Sequence, residues 1–355
     1  MSKVVGKAKT ISLIATLTGL STAVCIGAVT LYDSFFKRHE KKELYAYYGE
    51  FDYSRVKDKI SRQLFTFKSG KNKLQGYFYE ALNSKGIVVV SHGMHAGADD
   101  YLPFIIYLVE HQYSVFTYDS TGTYLSEGKS TIGMCTPLVD LDYALRFLNE
   151  RTEFKEKPIF LFGHSWGGYA ATSVLSIHKN IKACAAIAPF NSGYTLIMEK
   201  GEQYAGKFAG GLPKVFLEVY QAYLFKDYIK YSGVKGINDT NIPVLIAHGV
   251  DDKIIDIDYQ SIISHKDEIR KENVYYYIGE GLQSGHNTIL HSENAIKYQE
   301  YINKKYKQIK KELDRELTKE EKIDFCNLVD HRLYSEVNFE LMDQIISLYD
   351  KTLIK

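Results

Sequence analysis

The sequence has few cysteines and almost no net charge, and each of these absences excludes a class of function. The four cysteines among the 355 residues are far apart, and none forms a Cys-x-x-Cys pair. We therefore expect neither a metal site of the zinc type nor a disulfide framework. The formal net charge at pH 7 is +1, which gives no electrostatic reason to expect a nucleic-acid partner. We predict no cofactor.

One long uncharged stretch lies near the N-terminus. Residues 11–31 contain no charged side chain and are long enough to span a bilayer. No clean Ala-x-Ala site lies at the end of the stretch, so we favour an uncleaved signal-anchor over a cleaved signal peptide. Lys and Arg flank both ends, so the positive-inside rule hardly decides the orientation. Because a single N-terminal segment usually carries the rest of its chain across the membrane, we expect a single-pass anchor in the cell membrane with the domain that follows it outside.

From about residue 62, strand-like and helix-like patterns alternate. Two strand-like runs flank Ser-Gly-Lys-Asn at 69–72 and predict a hairpin. The apolar run at 86–91 is typical of a buried parallel strand. Further strands are predicted at 113–118, 158–162, 183–188, 243–247 and 274–278, and helices at 100–110, 137–149, 215–228, 259–271 and 293–313. This alternation predicts an α/β fold with a mostly parallel central sheet and helices on both faces.

The sequence Gly163-His164-Ser165-Trp166-Gly167-Gly168 lies between a predicted strand and a stretch of small residues with helical character. This context is typical of a nucleophile elbow, a sharp turn that exposes a serine hydroxyl at a helix N-terminus. The turn is strained and needs small neighbours, which Gly163 and Gly167 provide. Because glycine-rich turns also occur for packing reasons, the motif alone does not establish a catalytic serine.

An acid and a histidine come after Ser165 in the order Ser, Asp, His. His248-Gly249-Val250-Asp251-Asp252 comes after a predicted strand, and the spacing from the glycine favours Asp252 over Asp251 as the acid. His286 comes after the next strand and is the one of 11 histidines with a Gly-His context in the right place. In this chemistry His286 takes the serine proton and returns it to the leaving group, while Asp252 holds the imidazole tautomer. Solvated loop carboxylates are the alternative for the acidic pair.

Two backbone N–H groups are expected to stabilise the oxyanion of the reaction. One belongs to Trp166, the residue after the serine, and the other to Met94 in the loop His92-Gly93-Met94. Loss of one such donor lowers the rate by about 100- to 1,000-fold. His92 and His95 are expected to shape this loop rather than to react.

Together these motifs resemble the α/β-hydrolase superfamily, and within it the serine-aminopeptidase-like and monoacylglycerol-lipase-like branch. The resemblance covers roughly residues 62–310 and implies the fold and the catalytic triad, but it does not define a substrate. Thr121 stands where the branch commonly has arginine, which limits any transfer of substrate choice. The residues that carry the resemblance are His92-Gly93-Met94, Asp99-Asp100-Tyr101, Gly163 to Gly168, His248 to Asp252 and Gly285-His286.

Residues 191–241 interrupt the alternation of strands and helices. An insertion at this point would lie above the strand ends, where open α/β sheets bind ligands, so we interpret it as a lid that forms the acyl or leaving-group pocket. Ordinary connecting helices are the alternative. The predicted organisation is a basic N-terminus (1–10), a transmembrane signal-anchor (11–31), a linker (32–61), an α/β-hydrolase domain (62–310) and a C-terminal helical extension (311–355).

Three functions are compatible with these patterns. A serine hydrolase acting on small-molecule or lipid-like esters is favoured, since a membrane segment and an aromatic lid suit amphiphilic esters. A serine exopeptidase of the same fold would need lid carboxylates such as Glu199, Glu202 or Glu218 to bind the substrate amine. A non-catalytic binding protein is disfavoured because such proteins usually lose a triad residue. The serine at the elbow, in place of aspartate, disfavours haloalkane dehalogenase chemistry.

Overall fold

An eight-stranded sheet forms the centre of the computed structural model, which describes residues 26–27, 29–41, 43, 52–197 and 212–354. Its strands are β1 (Arg62–Ser69), β2 (Asn72–Tyr79), β3 (Ile87–Ser91), β4 (Ser114–Tyr118), β5 (Ile159–His164), β6 (Ile181–Ile187), β7 (Val244–Gly249) and β8 (Val274–Gly279). They lie in the order β1-β2-β4-β3-β5-β6-β7-β8. β2 pairs antiparallel with both neighbours, and the other neighbours pair in parallel. The predicted α/β architecture is confirmed.

Helices cover both faces of this sheet. The helices are α1 (Leu102–Glu110), α2 (Thr136–Glu150), α3 (Trp166–Ser173), α4 (Leu212–Phe225), α5 (Gly233–Asn238), α6 (Glu293–Leu313), α7 (Lys319–Asn327), α8 (His331–Tyr334) and α9 (Phe339–Lys351). Of these, α6, α7 and α8 pack against one another in a separate small cluster. Alternate residues of β3 enter two separate cores: Ile87 and Val89 pack with α2, α3 and α5, and Val88 and Val90 pack with α1 and α9. Since both faces are covered, this strand is apolar without alternation, as parallel strands of this kind are.

The C-terminal extension supplies part of the cover of the sheet. Leu341, Ile345 and Tyr349 of α9 are buried in the same core as Val88 and Val90. The Tyr349 hydroxyl donates to the Leu161 carbonyl on β5 at 2.7 Å. The apolar face of α9 therefore packs against the sheet, whereas Phe339 at the start of the helix is 49% exposed.

The predicted helix at 259–271 is wrong. The segment contains only a short 3₁₀ helix, Ile263–Glu268. Serine hydroxyls compete here with the helical hydrogen bonds, since Ser261 Oγ donates to the Ile257 carbonyl at 2.6 Å and Ser264 Oγ donates to the Ser261 carbonyl at 2.8 Å. Ser261 also forms an isolated antiparallel β-bridge with Phe190, so its backbone pairs with another segment instead of continuing a helix.

The described residues of the predicted lid, 191–241, are largely helical. After α4 come a short 3₁₀ helix, Lys226–Lys230, and α5. Phe225 is buried, and the Tyr228 hydroxyl donates to Asp142 Oδ2 on α2 at 2.5 Å. These contacts attach the C-terminal half of the insertion to the domain. Residues 198–211, with Glu199 and Glu202, lie outside the described residues.

Residues 37–41 of the predicted linker lie against the α/β domain. The Arg38 guanidinium donates to the carbonyls of Tyr124, Ser126 and Gly128 at 2.5 to 3.0 Å. Lys41 forms ion pairs with Asp52, at 2.8 Å, and with Asp99. No helix among the described residues is long and apolar enough to cross a membrane, and residues 11–25 of the predicted span lie outside them.

Candidate active site

Ser165 lies on the sharp turn between β5 and α3. Its φ is +54° and its ψ is −113°, a sparsely populated conformation that persists only where the surroundings impose it. The Ser165 N–H donates to the Ile187 carbonyl on β6 at 2.7 Å. A Cβ at Gly163 would lie 2.2 Å from the Gly167 carbonyl oxygen, and one at Gly167 would lie 2.0 Å from the Ser91 carbonyl oxygen. The turn therefore requires both glycines.

The structure brings Ser165, His286 and Asp252 together. His286 Nε2 lies 2.8 Å from Ser165 Oγ, and His286 Nδ1 lies 2.6 Å from Asp252 Oδ2. The carboxylate accepts hydrogen bonds, so Nδ1 carries the proton and Nε2 is left to accept the serine proton. The three residues are 4% to 9% exposed. This arrangement can deprotonate the hydroxyl during nucleophilic attack.

Asp252 is held by four hydrogen-bond donors. The N–H groups of Ile254 and Ile255 donate to Oδ1 at 2.8 and 2.9 Å, and His286 donates to Oδ2. His248 Nε2 lies 3.2 Å from the same Oδ2. Burial alone would raise the pKa of Asp252, but the hydrogen bonds from His248 and His286 outweigh it and hold the pKa below its usual range. The carboxylate is therefore ionised, and Asp251 beside it is exposed.

His248 also contacts Asp252, a contact that was not predicted from the sequence. The residue is fully buried, and its Nε2 also lies 2.9 Å from the Ile255 carbonyl oxygen. Because a carbonyl oxygen only accepts, His248 Nε2 carries a proton and donates a bifurcated hydrogen bond to the Ile255 carbonyl and to Asp252 Oδ2. The one sequence signal was its position four residues before Asp252 in the same motif.

The loop after β3 carries Met94, one of the two predicted oxyanion donors. Neither the Met94 N–H nor the Trp166 N–H donates to any residue in the part of the chain that the structure describes. His92 holds the loop: its Nε2 accepts from the Ser120 N–H at 3.0 Å, and its Nδ1 donates to the Gly93 carbonyl at 2.7 Å. Burial lowers the pKa of His92 to about 4, so the ring is neutral near pH 7.

Trp166 connects the elbow to the N-terminal residues. Its indole N–H donates to the Met134 carbonyl at 2.7 Å. A Cβ at the adjacent Gly133 would lie 1.7 Å from the Tyr32 hydroxyl, so the buried Tyr32 requires a glycine there. The Tyr32 ring also meets Tyr220 of α4 edge-on, with centroids 5.7 Å apart. Helical residues 29–35 thus contact both the lid helix and the loop that holds Trp166.

Across the described ranges, no group of three or more His, Cys, Asp or Glu residues could hold a metal ion. The reactive groups that the structure brings together at the elbow are the serine, the imidazole and the carboxylate.

The strand order and the site define a class of protein. A serine on a strained turn after β5, an acid after β7 and a histidine after β8 are the positions of the α/β-hydrolase fold. The chain has the α/β-hydrolase fold.

Comparisons with known proteins agree with this assignment. Residues 83–225 match the family described as serine aminopeptidase, S33, a segment that includes Ser165 but ends before Asp252 and His286. The chain is 26% identical to the uncharacterized protein YfhR of Escherichia coli K12 over 199 residues. That alignment covers 54% of this chain and 62% of YfhR, so the chain spans less than two thirds of this relative.

Two solved structures share the fold. The esterase Pf2001 of Pyrococcus furiosus has a TM-score of 0.50 and 20% identity, over 65% of this chain and 85% of its own. Est1E of Butyrivibrio proteoclasticus has a TM-score of 0.50 and 13% identity, over 82% of this chain and 99% of its own. At these identities the likeness establishes the fold alone.

Proposed function

We propose that the protein is a serine hydrolase that cleaves carboxylic esters through an acyl-enzyme on Ser165. The observation that carries the proposal is the pair of hydrogen bonds that joins Ser165 to His286 at 2.8 Å and His286 to Asp252 at 2.6 Å. Ser165 Oγ attacks the ester carbonyl while His286 Nε2 takes its proton. The N–H groups of Met94 and Trp166 stabilise the resulting oxyanion. His286 then protonates the leaving alcohol. In the second half of the reaction His286 takes a proton from water, the water attacks the acyl-enzyme, and the proton passes to Ser165 Oγ as the acid is released.

The lid favours esters over peptides as substrates. Its helix α4 bears exposed apolar side chains, Val215, Val219 and Tyr223 among them, which suit an acyl chain or another amphiphilic group. An exopeptidase needs a free carboxylate for the substrate amine. Of the three candidates, Glu218 lies beside Tyr194: burial, together with this carboxylate, raises the pKa of the Tyr194 hydroxyl to about 12. The Glu218 carboxylate therefore already accepts a hydrogen bond from Tyr194 and is less suited to bind a substrate amine.

A substrate comparison tests the proposal. The protein is assayed with p-nitrophenyl esters of increasing acyl length and with aminoacyl p-nitroanilides, and in parallel is labelled with a fluorophosphonate probe. We expect turnover of the esters, at least about tenfold lower kcat/KM on the anilides, and covalent labelling at Ser165. Faster cleavage of the anilides would support the exopeptidase instead. Folded protein that neither labels nor turns over either substrate would support a non-catalytic binding protein.

We further propose that residues 11–31 anchor the protein in the cell membrane with the catalytic domain outside. The uncharged sequence supports the anchor. Apolar side chains within or just after its C-terminal end also support it: Ile26, Leu31 and Phe35 are 46% to 63% exposed. A membrane surface next to this end would cover such side chains.

A deletion of residues 1–25 tests the anchor and keeps Tyr32 in place. We expect the full chain to stay with membranes through an alkaline carbonate wash, because about 20 apolar residues suffice for stable insertion. The shortened chain should be released while its ester turnover persists. Protease added to intact cells should degrade the domain of the full chain. Release of the full chain by the wash would contradict the anchor, and protection from protease would contradict the orientation.

A further inference from the structure

Three loops of the active site meet at His164, a buried histidine with no role in the proton transfers above. His164 Nδ1 lies 2.7 Å from the Tyr101 hydroxyl oxygen, and His164 Nε2 lies 3.2 Å from the His286 carbonyl oxygen. The Tyr101 oxygen in turn lies 2.9 Å from the Gly93 nitrogen. The contacts therefore run from the loop of the oxyanion donor, through the residue before the nucleophile, to the backbone of the catalytic histidine.

The direction of each hydrogen bond is set by the chemistry of its ends. The His286 carbonyl can only accept, so His164 Nε2 carries the proton and donates. In the neutral ring Nδ1 is then an acceptor, and the Tyr101 O–H donates to it. The Tyr101 oxygen accepts from the Gly93 N–H, which can only donate. Burial lowers the pKa of His164 to about 3, so the ring stays neutral and the polarity of the chain is fixed.

We propose that Tyr101 and His164 form a positioning relay that fixes the oxyanion loop and the His286 backbone relative to Ser165. The inference rests on the proposed function, because it concerns the same site. With the Gly93 N–H committed to Tyr101, the next N–H of the loop, that of Met94, is the one left for the oxyanion. The relay also joins two catalytic groups that are far apart in the sequence. A shift of about 1 Å in such groups can lower a rate by roughly 100-fold.

Three variants and one matched control test the relay. Tyr101→Phe removes the central hydroxyl and leaves the Gly93 N–H and His164 Nδ1 without their partner. His164→Gln can still reach the His286 carbonyl through its amide N–H but lacks the ring nitrogen that faces Tyr101. The third variant combines both changes. Tyr349→Phe is the control, because Tyr349 is also buried and donates one 2.7 Å hydrogen bond, to the Leu161 carbonyl on β5, without a hydrogen bond to Tyr101, His164 or the triad.

We expect Tyr101→Phe to lower kcat on esters by about 10- to 100-fold with KM changed less than about twofold, and to slow fluorophosphonate labelling of Ser165 in proportion. Tyr349→Phe should lower the unfolding temperature to a similar extent but leave kcat unchanged. Because Tyr101→Phe and His164→Gln break the same contact, the kcat of the double variant should be no lower than that of the less active single variant.

Two other outcomes are separable. If the wild-type protein is active and Tyr101→Phe keeps its kcat, as Tyr349→Phe does, the relay alone is overturned. The relay alone is also overturned if the losses of kcat in the two single variants multiply in the double variant. Wild-type protein that neither hydrolyses esters nor reacts with the probe would overturn the proposed function, and the relay with it.

Discussion

Replacement of Ser165 by alanine is expected to lower kcat on esters by at least about 10,000-fold while the protein stays folded. The hydroxyl oxygen is the atom that forms the acyl-enzyme, and it lies 2.8 Å from the imidazole that activates it. Removal of the nucleophile in such triads leaves only the small residual rate from substrate binding and the oxyanion hole. The measurement is ester turnover under saturating substrate, together with the unfolding temperature.

The fold should survive this change because alanine removes one oxygen and keeps the Cβ that the turn already accommodates at φ +54°. Ser173→Ala is the matched control: this serine is fully buried on the same helix α3, two turns further along, and its loss should leave kcat within about twofold. More than about 1% of wild-type turnover in Ser165→Ala, with the control unchanged, would place the nucleophile elsewhere.

The sequence predicts those parts of the site in which the motif itself imposes the backbone. The two glycines around Ser165 are needed because a Cβ at either would lie about 2 Å from a carbonyl oxygen. This steric requirement appears in the sequence as the motif Gly-x-Ser-x-Gly. Asp252 is likewise selected over Asp251 by its distance from Gly249. In the structure the preferred acid faces His286, whereas its neighbour is exposed.

Contacts between distant segments are not readable in this way. Tyr101 and His164 are 63 residues apart and meet only because the helix after β3 packs against the end of β5. His248 similarly becomes a partner of Asp252 only when the loop after β7 folds back on its own strand. The segment 259–271 has helical periodicity, but serine hydroxyls and a bridge to Phe190 override it. In each case contacts between distant segments determine the structure, and the local sequence pattern alone does not predict it.

Exchange of Asp252 for asparagine is expected to lower kcat by about 1,000- to 10,000-fold, and the same exchange at Asp251 by less than twofold. The reason lies in the fixed donors around Asp252. The N–H groups of Ile254 and Ile255 both donate to Oδ1, so the amide oxygen of an asparagine must occupy that position. Its NH₂ group then replaces Oδ2 and faces His286 Nδ1.

An amide N–H at that position favours the His286 tautomer with the proton on Nε2, and this tautomer cannot accept the serine proton. The NH₂ group also meets the proton of His248, so the variant loses two acceptor contacts at once. Both exchanges remove one negative charge from adjacent residues, so the pair separates position from net charge. Ester turnover of the two variants at equal folded concentration is the measurement. Equal losses in both, or more than about 1% of wild-type turnover in Asp252→Asn, would contradict Asp252 as the residue that orients the catalytic imidazole.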